Sequence, residues 1–198
     1  MVQYAPTKSD PICKWRNASV ETVVELVSIL PKRSMPKDSF LDYMSGFYDG
    51  AFFRTPYQLA LQLGLYYEDE KNYIPRFDHN IDEDEARAYM RKWIKRYYVP
   101  NPFTKRGFIG VVPSFHLLNG FANYLENHPT KPNLATAGAA LIGGEMGNIG
   151  CVKYILNEYS NLIEVNKDND MTLLSLDYGS VDVANKRDDK KAFFEYFN

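Results

Sequence analysis

The stretch AFFRTPYQLALQLGLYYEDEKNYIPRFDHNIDEDEARAYMRKWIKRYY, Ala51–Tyr98, decides how the chain is read. Thr55 suits a helix N-cap and Pro56 the first helical position. Leu59, Ala60 and Leu63 then give one apolar face, and Gly64 closes the helix. Past the glycine the period switches to two. Leu65-Tyr66-Tyr67, the polar turn Glu68–Asn72 and Tyr73-Ile74-Pro75-Arg76-Phe77 predict a short hairpin. Gln58 and Gln62, one turn apart, are expected on the outward face of the helix, with Arg54 just before it. Glutamine bonds bidentately to adenine and arginine to guanine in the major groove of DNA. The competing reading makes both glutamines the wet side of an amphipathic helix.

A short helix followed at once by a hairpin is the centre of a winged helix. Two earlier helices are expected to complete its body. The first is capped by Ser19 and carries Val20, Val23, Val24, Val27 and Leu30. The second opens at Pro36, carries Phe40, Leu41, Met44 and Phe47, and ends at Gly50. On the other side, Asp82 and Glu85 form a capping box for a long helix. Its inner face is Ala86, Tyr89, Met90, Trp93, Ile94 and Tyr97, with Arg87, Arg91, Lys95 and Arg96 outside. Val99-Pro100-Asn101-Pro102 breaks that helix.

A second set of elements follows. A helix is expected over Pro113–Asn127, another after Asn133 to Ile142, a Gly143-Gly144 turn, and a third from Asn148 to Tyr159. Leu162–Val165, the turn Asn166–Asp170 and Met171–Leu176 predict another hairpin, and Val183–Phe197 a closing helix. The order helix, helix, hairpin, helix thus occurs twice, without a residue-level repeat. The fold class is mainly α with short β-hairpins, as tandem winged-helix units. Residues 1–98 form the first unit, with an N-terminal arm and a basic helix, and 99–198 the second.

The whole chain of 198 residues is 45% hydrophobic and 24% charged, ordinary globular values. Its aromatic share of 15% suits interfaces. The net charge of −2 argues against a uniformly basic nucleic-acid binder. The charge is nonetheless polarised: Arg87, Arg91, Lys92, Lys95, Arg96, Lys105 and Arg106 occur between 86 and 106 with no acid among them. Cys13 and Cys151 form no C-x-x-C pair and are read as small core residues. No signal peptide and no membrane-spanning apolar run is visible, so a cytoplasmic protein with no membrane partner is expected.

Catalytic constellations are not found. Glu164-Val165-Asn166-Lys167 has the wrong spacing for a magnesium-dependent nuclease, as has Asp182 with Lys186. Asp78-His79 beside Asp82–Glu85 matches no standard metal spacing and is read as a helix cap with an acidic first turn. Gly143, Gly144, Gly147 and Gly150 lack the Gly-Lys-Ser/Thr of a phosphate loop.

The arrangement from about Phe52 to Leu162 resembles the DNA-recognition region of type IIS restriction endonucleases and related nicking enzymes, the FokI and AlwI kind. The likeness rests on Ala51-Phe52-Phe53-Arg54, Leu63-Gly64-Leu65, the polar wing, Lys92-Trp93 with Tyr97-Tyr98, Pro113-x-x-x-Leu117-Leu118 and the helix pair through Ile155. The resemblance implies winged-helix recognition of double-stranded DNA, and a separate domain or subunit that cuts with Mg²⁺. No cutting domain is present, so no catalytic residue and no cofactor is assigned to this chain. In this reading Arg54, Gln58, Gln62, Asn148, Lys153 and Asn157 contact base edges, and Arg91, Lys95, Lys105 and Arg106 hold phosphates. The competing functions are a winged-helix transcriptional regulator, a tyrosine-rich protein-interaction module and, if Asp78 and His79 bound a metal, a hydrolase.

Overall fold

Ser19 sets the first helix. Its hydroxyl accepts from the Thr22 amide at 3.2 Å, and α1 runs Val20–Ile29 with Val20, Val23, Leu26 and Val27 buried. This is a computed structural model, and it describes residues 18–47, 59–104, 113–130, 132–144, 146–183 and 189–198. The chain divides into two compact units, Asn17–Met90 with Asp189–Asn198, and Arg91–Asp188 with Met1–Arg16.

In the unit that begins at Asn17, β1 (Met35–Pro36) leads into α2 (Lys37–Ser45). Residues 59–62 are helical and are labelled α3. Gly64 ends this helix at φ +66, a left-handed conformation that suits glycine. Strands β2 (Tyr66–Glu68) and β3 (Asn72–Pro75) follow. The sheet order is β1-β3-β2, all antiparallel, with Met35 opposite Tyr73 and Tyr67 opposite Ile74. Asp69 Oδ1 accepts from the Lys71 and Asn72 amides and so shapes the hairpin turn. Phe40 of α2 stacks on Tyr73 at 4.1 Å between centroids and joins the sheet to the helices. Of the expected inner face of α2, Phe40 and Met44 are buried, but Leu41 and Phe47 are 36% and 50% exposed.

Helix α4 spans Glu83–Arg96. Its capping box forms as expected: the Glu85 amide donates to Asp82 Oδ1 at 2.9 Å, and the Asp82 amide to Glu85 Oε2 at 3.3 Å. Ala86, Tyr89, Met90, Trp93, Ile94 and Tyr97 are all buried. The division at 98/99 expected from the proline breaker differs from the observed one after Met90. The last turns of α4 belong to the other unit, where Trp93 stacks on Tyr97 and the Tyr97 carbonyl accepts from the Leu117 amide.

In that other unit β4 (Tyr98–Val99) pairs with β5 (Phe115–His116). Phe115 also bridges Asp182, and the His116 amide donates to the Val181 carbonyl. Helix α5 is Leu117–Asn127. The helix expected from Pro113 therefore starts later, because backbone pairing takes residues 115 and 116. α6 (Leu134–Ile142) is capped by the Asn133 side chain, and Gly143 ends it at φ +70. α7 spans Ile149–Tyr159, and β6 (Ile163–Val165) and β7 (Met171–Leu173) form the second hairpin. Asn133 bridges Asp170.

The two units share a connection pattern beyond helix order. In each, a short extended piece precedes the middle helix and pairs beside the second strand of the hairpin. The opening amide of that helix then donates into the turn: Lys37 to the Lys71 carbonyl at 2.8 Å, and Leu134 to the Asn169 carbonyl at 2.7 Å. Among the described residues the chain is mainly helical, with small antiparallel strand pairs. The final helix, α8, is Lys190–Glu195, shorter than the expected 183–197, and it belongs to the unit that begins at Asn17.

Candidate nucleic-acid interface

The basic end of α4 is the clearest feature with a chemistry of its own. Arg91, Lys92, Lys95 and Arg96 are all exposed, while Trp93 and Ile94 between them are buried. Pairs at i and i+4 lie one above the other on a helix, so Arg91–Lys95 and Lys92–Arg96 make two adjacent rows. Arg91, Lys92 and Lys95 form no ion pair among the described residues. Lys95 and Arg96, in the last turn, also complement the negative end of the helix dipole, which does not account for Arg91 and Lys92.

The other residues expected to read bases or hold phosphates fare differently. Arg54, Gln58, Lys105 and Arg106 lie outside the described residues. Gln62 is buried, at 2% exposure, which corrects its expected outward placement. Leu59, Ala60 and Gln62 of α3 are buried, as is Leu63 just past it, and Leu61 is the more exposed residue. Asn148 stands at the N-cap of α7 with φ 53 and makes no side-chain cap there. Lys153 Nζ donates to the Asn166 carbonyl and to Asn169 Oδ1. Asn157 donates from Nδ2 to the Val165 carbonyl at 2.9 Å and accepts from the Val165 amide at 2.7 Å. Its amide imitates a neighbouring strand and covers part of the β6 edge. Lys153 and Asn157 therefore brace α7 against its own hairpin.

Both hairpin turns are acidic. Glu68, Asp69 and Glu70 mark the first, with Glu68 paired to Lys37 at 3.4 Å. In the second, Asn166 Oδ1 accepts from the Asp168 and Asp170 amides, and Asn133 Nδ2 donates to Asp170 Oδ1 at 3.3 Å. Such turns repel a phosphate backbone.

At the N-terminal end of α4, His79 Nδ1 lies 2.8 Å from Asp78 Oδ1 and Nε2 lies 3.2 Å from Glu85 Oε1. A ring that donates at both nitrogens is the imidazolium. The hydrogen bond to Asp78, then that to Glu85, raises the His79 pKa, and the same bond lowers that of Asp78. Among the described residues no group of His, Cys, Asp and Glu is arranged to hold a metal ion. No helix among them is long and apolar enough to cross a membrane.

Sequence reasoning passed over Arg76. It follows β3, its burial lowers its pKa, and it lies over the rings of Phe194 and Tyr89. The only local signal was a cation between Pro75 and Phe77 at the end of a predicted strand. Compared with protein-family models, curated proteins and solved structures, the chain matches none.

Proposed function

We propose that this chain is a sequence-specific double-stranded DNA recognition module of a type IIS-like restriction endonuclease, built of two winged-helix units, with the Mg²⁺-dependent cutting carried by a separate domain or subunit. The observation that carries the proposal is the exposed row of Arg91, Lys92, Lys95 and Arg96 on α4, within a stretch from 86 to 106 that contains no Asp or Glu. Four residues along a helix advance about 6 Å, which suits successive phosphates on one strand. The shared connection pattern of the two units, each with a hairpin directly after its third helix, supports the winged-helix reading. Arg91 and Lys95 fix phosphates in this proposal, with Lys105 and Arg106. Arg54 and Gln58 read base edges. Gln62, Lys153 and Asn157 are assigned no contact, because burial or their own hairpin occupies them.

The test is selection from a random duplex library, with affinity then followed against salt. The expected result is a defined motif and a steep salt slope. Lys95→Ala should weaken all sequences alike and lower the slope by about one, since each neutralised phosphate contributes about 0.9. Absence of duplex binding at low salt would overturn the proposal. A second reading, a protein-interaction module, is favoured by the acidic hairpin turns and by Leu174 and Leu176, which are 55% and 70% exposed. A salt-insensitive protein complex without DNA retention would select it.

A further inference from the structure

Arg76 joins two helix ends. Its Nε donates to the Gly64 carbonyl, just past α3, and Nη2 donates to the Phe194 carbonyl in the last turn of α8. Nη1 donates to Asn198 Oδ1 at 2.7 Å. Its Cζ stands 4.2 Å from the Phe194 ring centroid and 5.5 Å from that of Tyr89. None of these partners is a carboxylate. The Phe194 carbonyl is among the last of α8 and carries part of the negative end of that helix, while the Gly64 carbonyl accepts just past α3. Its planar fork is what lets one side chain serve both.

The same ends meet again through packing. A Cβ placed on Gly64 would lie 3.0 Å from Phe197 Cδ2 and 3.2 Å from the Tyr89 hydroxyl. That hydroxyl donates to the Leu63 carbonyl. Phe193 and Phe197 are each 1% exposed. The end of α3 thus rests on a helix that lies more than a hundred residues later in the chain.

We infer that Arg76 and Phe197 are positioning residues, through which a seated α8 fixes the C-terminal end of α3, the helix that follows the proposed base readers Arg54 and Gln58 in sequence. The DNA half of this inference rests on the function proposed above. The coupling of α8 to α3 stands without it. With α8 unseated, phosphate binding through α4 persists and sequence discrimination is lost.

Amide hydrogen exchange on the full chain tests the coupling. The amides of Leu63, Gly64 and Leu65 donate to Leu59, Leu61 and Ala60 carbonyls and report on α3. In Arg76→Lys, exchange at residues 63–65 and 190–198 should rise together, by about tenfold, while α1 and α7 keep their protection. A rise at 190–198 alone, or an equal rise everywhere, would overturn the inference. Asn198→Ala removes the Oδ1 acceptor of Arg76 Nη1 at an exposed edge and should give the same paired response at smaller amplitude, so a misfolded Arg76→Lys leaves the question decidable. For DNA, the ratio of affinities for the selected and a scrambled duplex should fall in Arg76→Lys with the salt slope unchanged. A preserved ratio with loosened α3 would overturn the link to readout. If the parent chain binds no duplex, the proposed function fails, and the exchange pattern still decides whether α8 holds α3.

Discussion

His79 offers both ring nitrogens to carboxylates, and this sets the sign of a pH dependence. Its pKa in the folded chain is raised above the ordinary 6.5, first by Asp78 and then by Glu85. The stabilisation is therefore complete below the unfolded value and is lost as pH rises through the folded one. Asp78 behaves oppositely. Its pKa is lowered by the same bond, so its share is present above the ordinary 3.8 and is lost as pH falls below it. The pair is strongest between these limits. Thermal unfolding should show Tm falling as pH rises past the histidine value, with a shallower fall in His79→Gln. Parallel pH profiles for the two proteins would remove His79 as the cause. The effect should be small, because the pair is exposed and screened by water.

At the scale of elements, the helix caps were legible because they are local. Ser19, Asp82 with Glu85, and Asn133 each bond within three residues, so the sequence alone specifies them. The side of a helix that faces inward was less legible. By its spacing from Gln58, Gln62 is expected outward, yet among residues 59–62 of α3 only Leu61 is left partly exposed. On α7 Asn157 is exposed and Lys153 half-buried, and the hairpin that folds back onto them claims their polar atoms. Asn157→Ala should accordingly cost about 1 kcal/mol of stability, since two backbone groups of Val165 lose their partner to water. It should also speed amide exchange at Val165. Chemical denaturation checks the first and hydrogen exchange the second. An alanine variant of unchanged stability with altered DNA sequence preference would restore Asn157 to the base-reading set.

Across the whole molecule, the sequence order hides which segments build one core. Two short hairpins and two sets of helices could be read in turn, because each rests on local periodicity and turn chemistry. The return of 189–198 to the unit that begins at Asn17 could not, since nothing near Phe193 or Phe197 names a partner more than a hundred residues away. That return has a consequence for folding. Phe193 and Phe197 are fully enclosed rings, and removal of one such side chain from a core costs about 3–5 kcal/mol. Loss of both is comparable to the entire stability of a small domain, about 5–15 kcal/mol. Residues 17–96 alone, carrying all of α4, should therefore lack a cooperative transition. The same fragment joined through a flexible linker to residues 189–198 should regain one, and Phe197→Ala in the joined form should abolish most of the gain. Near-ultraviolet circular dichroism followed against temperature reads this directly, because the ring pairs Tyr67–Phe194 and Phe193–Phe197 are asymmetric only when packed. Equal, cooperative melting of the fragment with and without 189–198 would mean that α8 decorates a core already complete, and the positioning role of Arg76 would lose its structural basis.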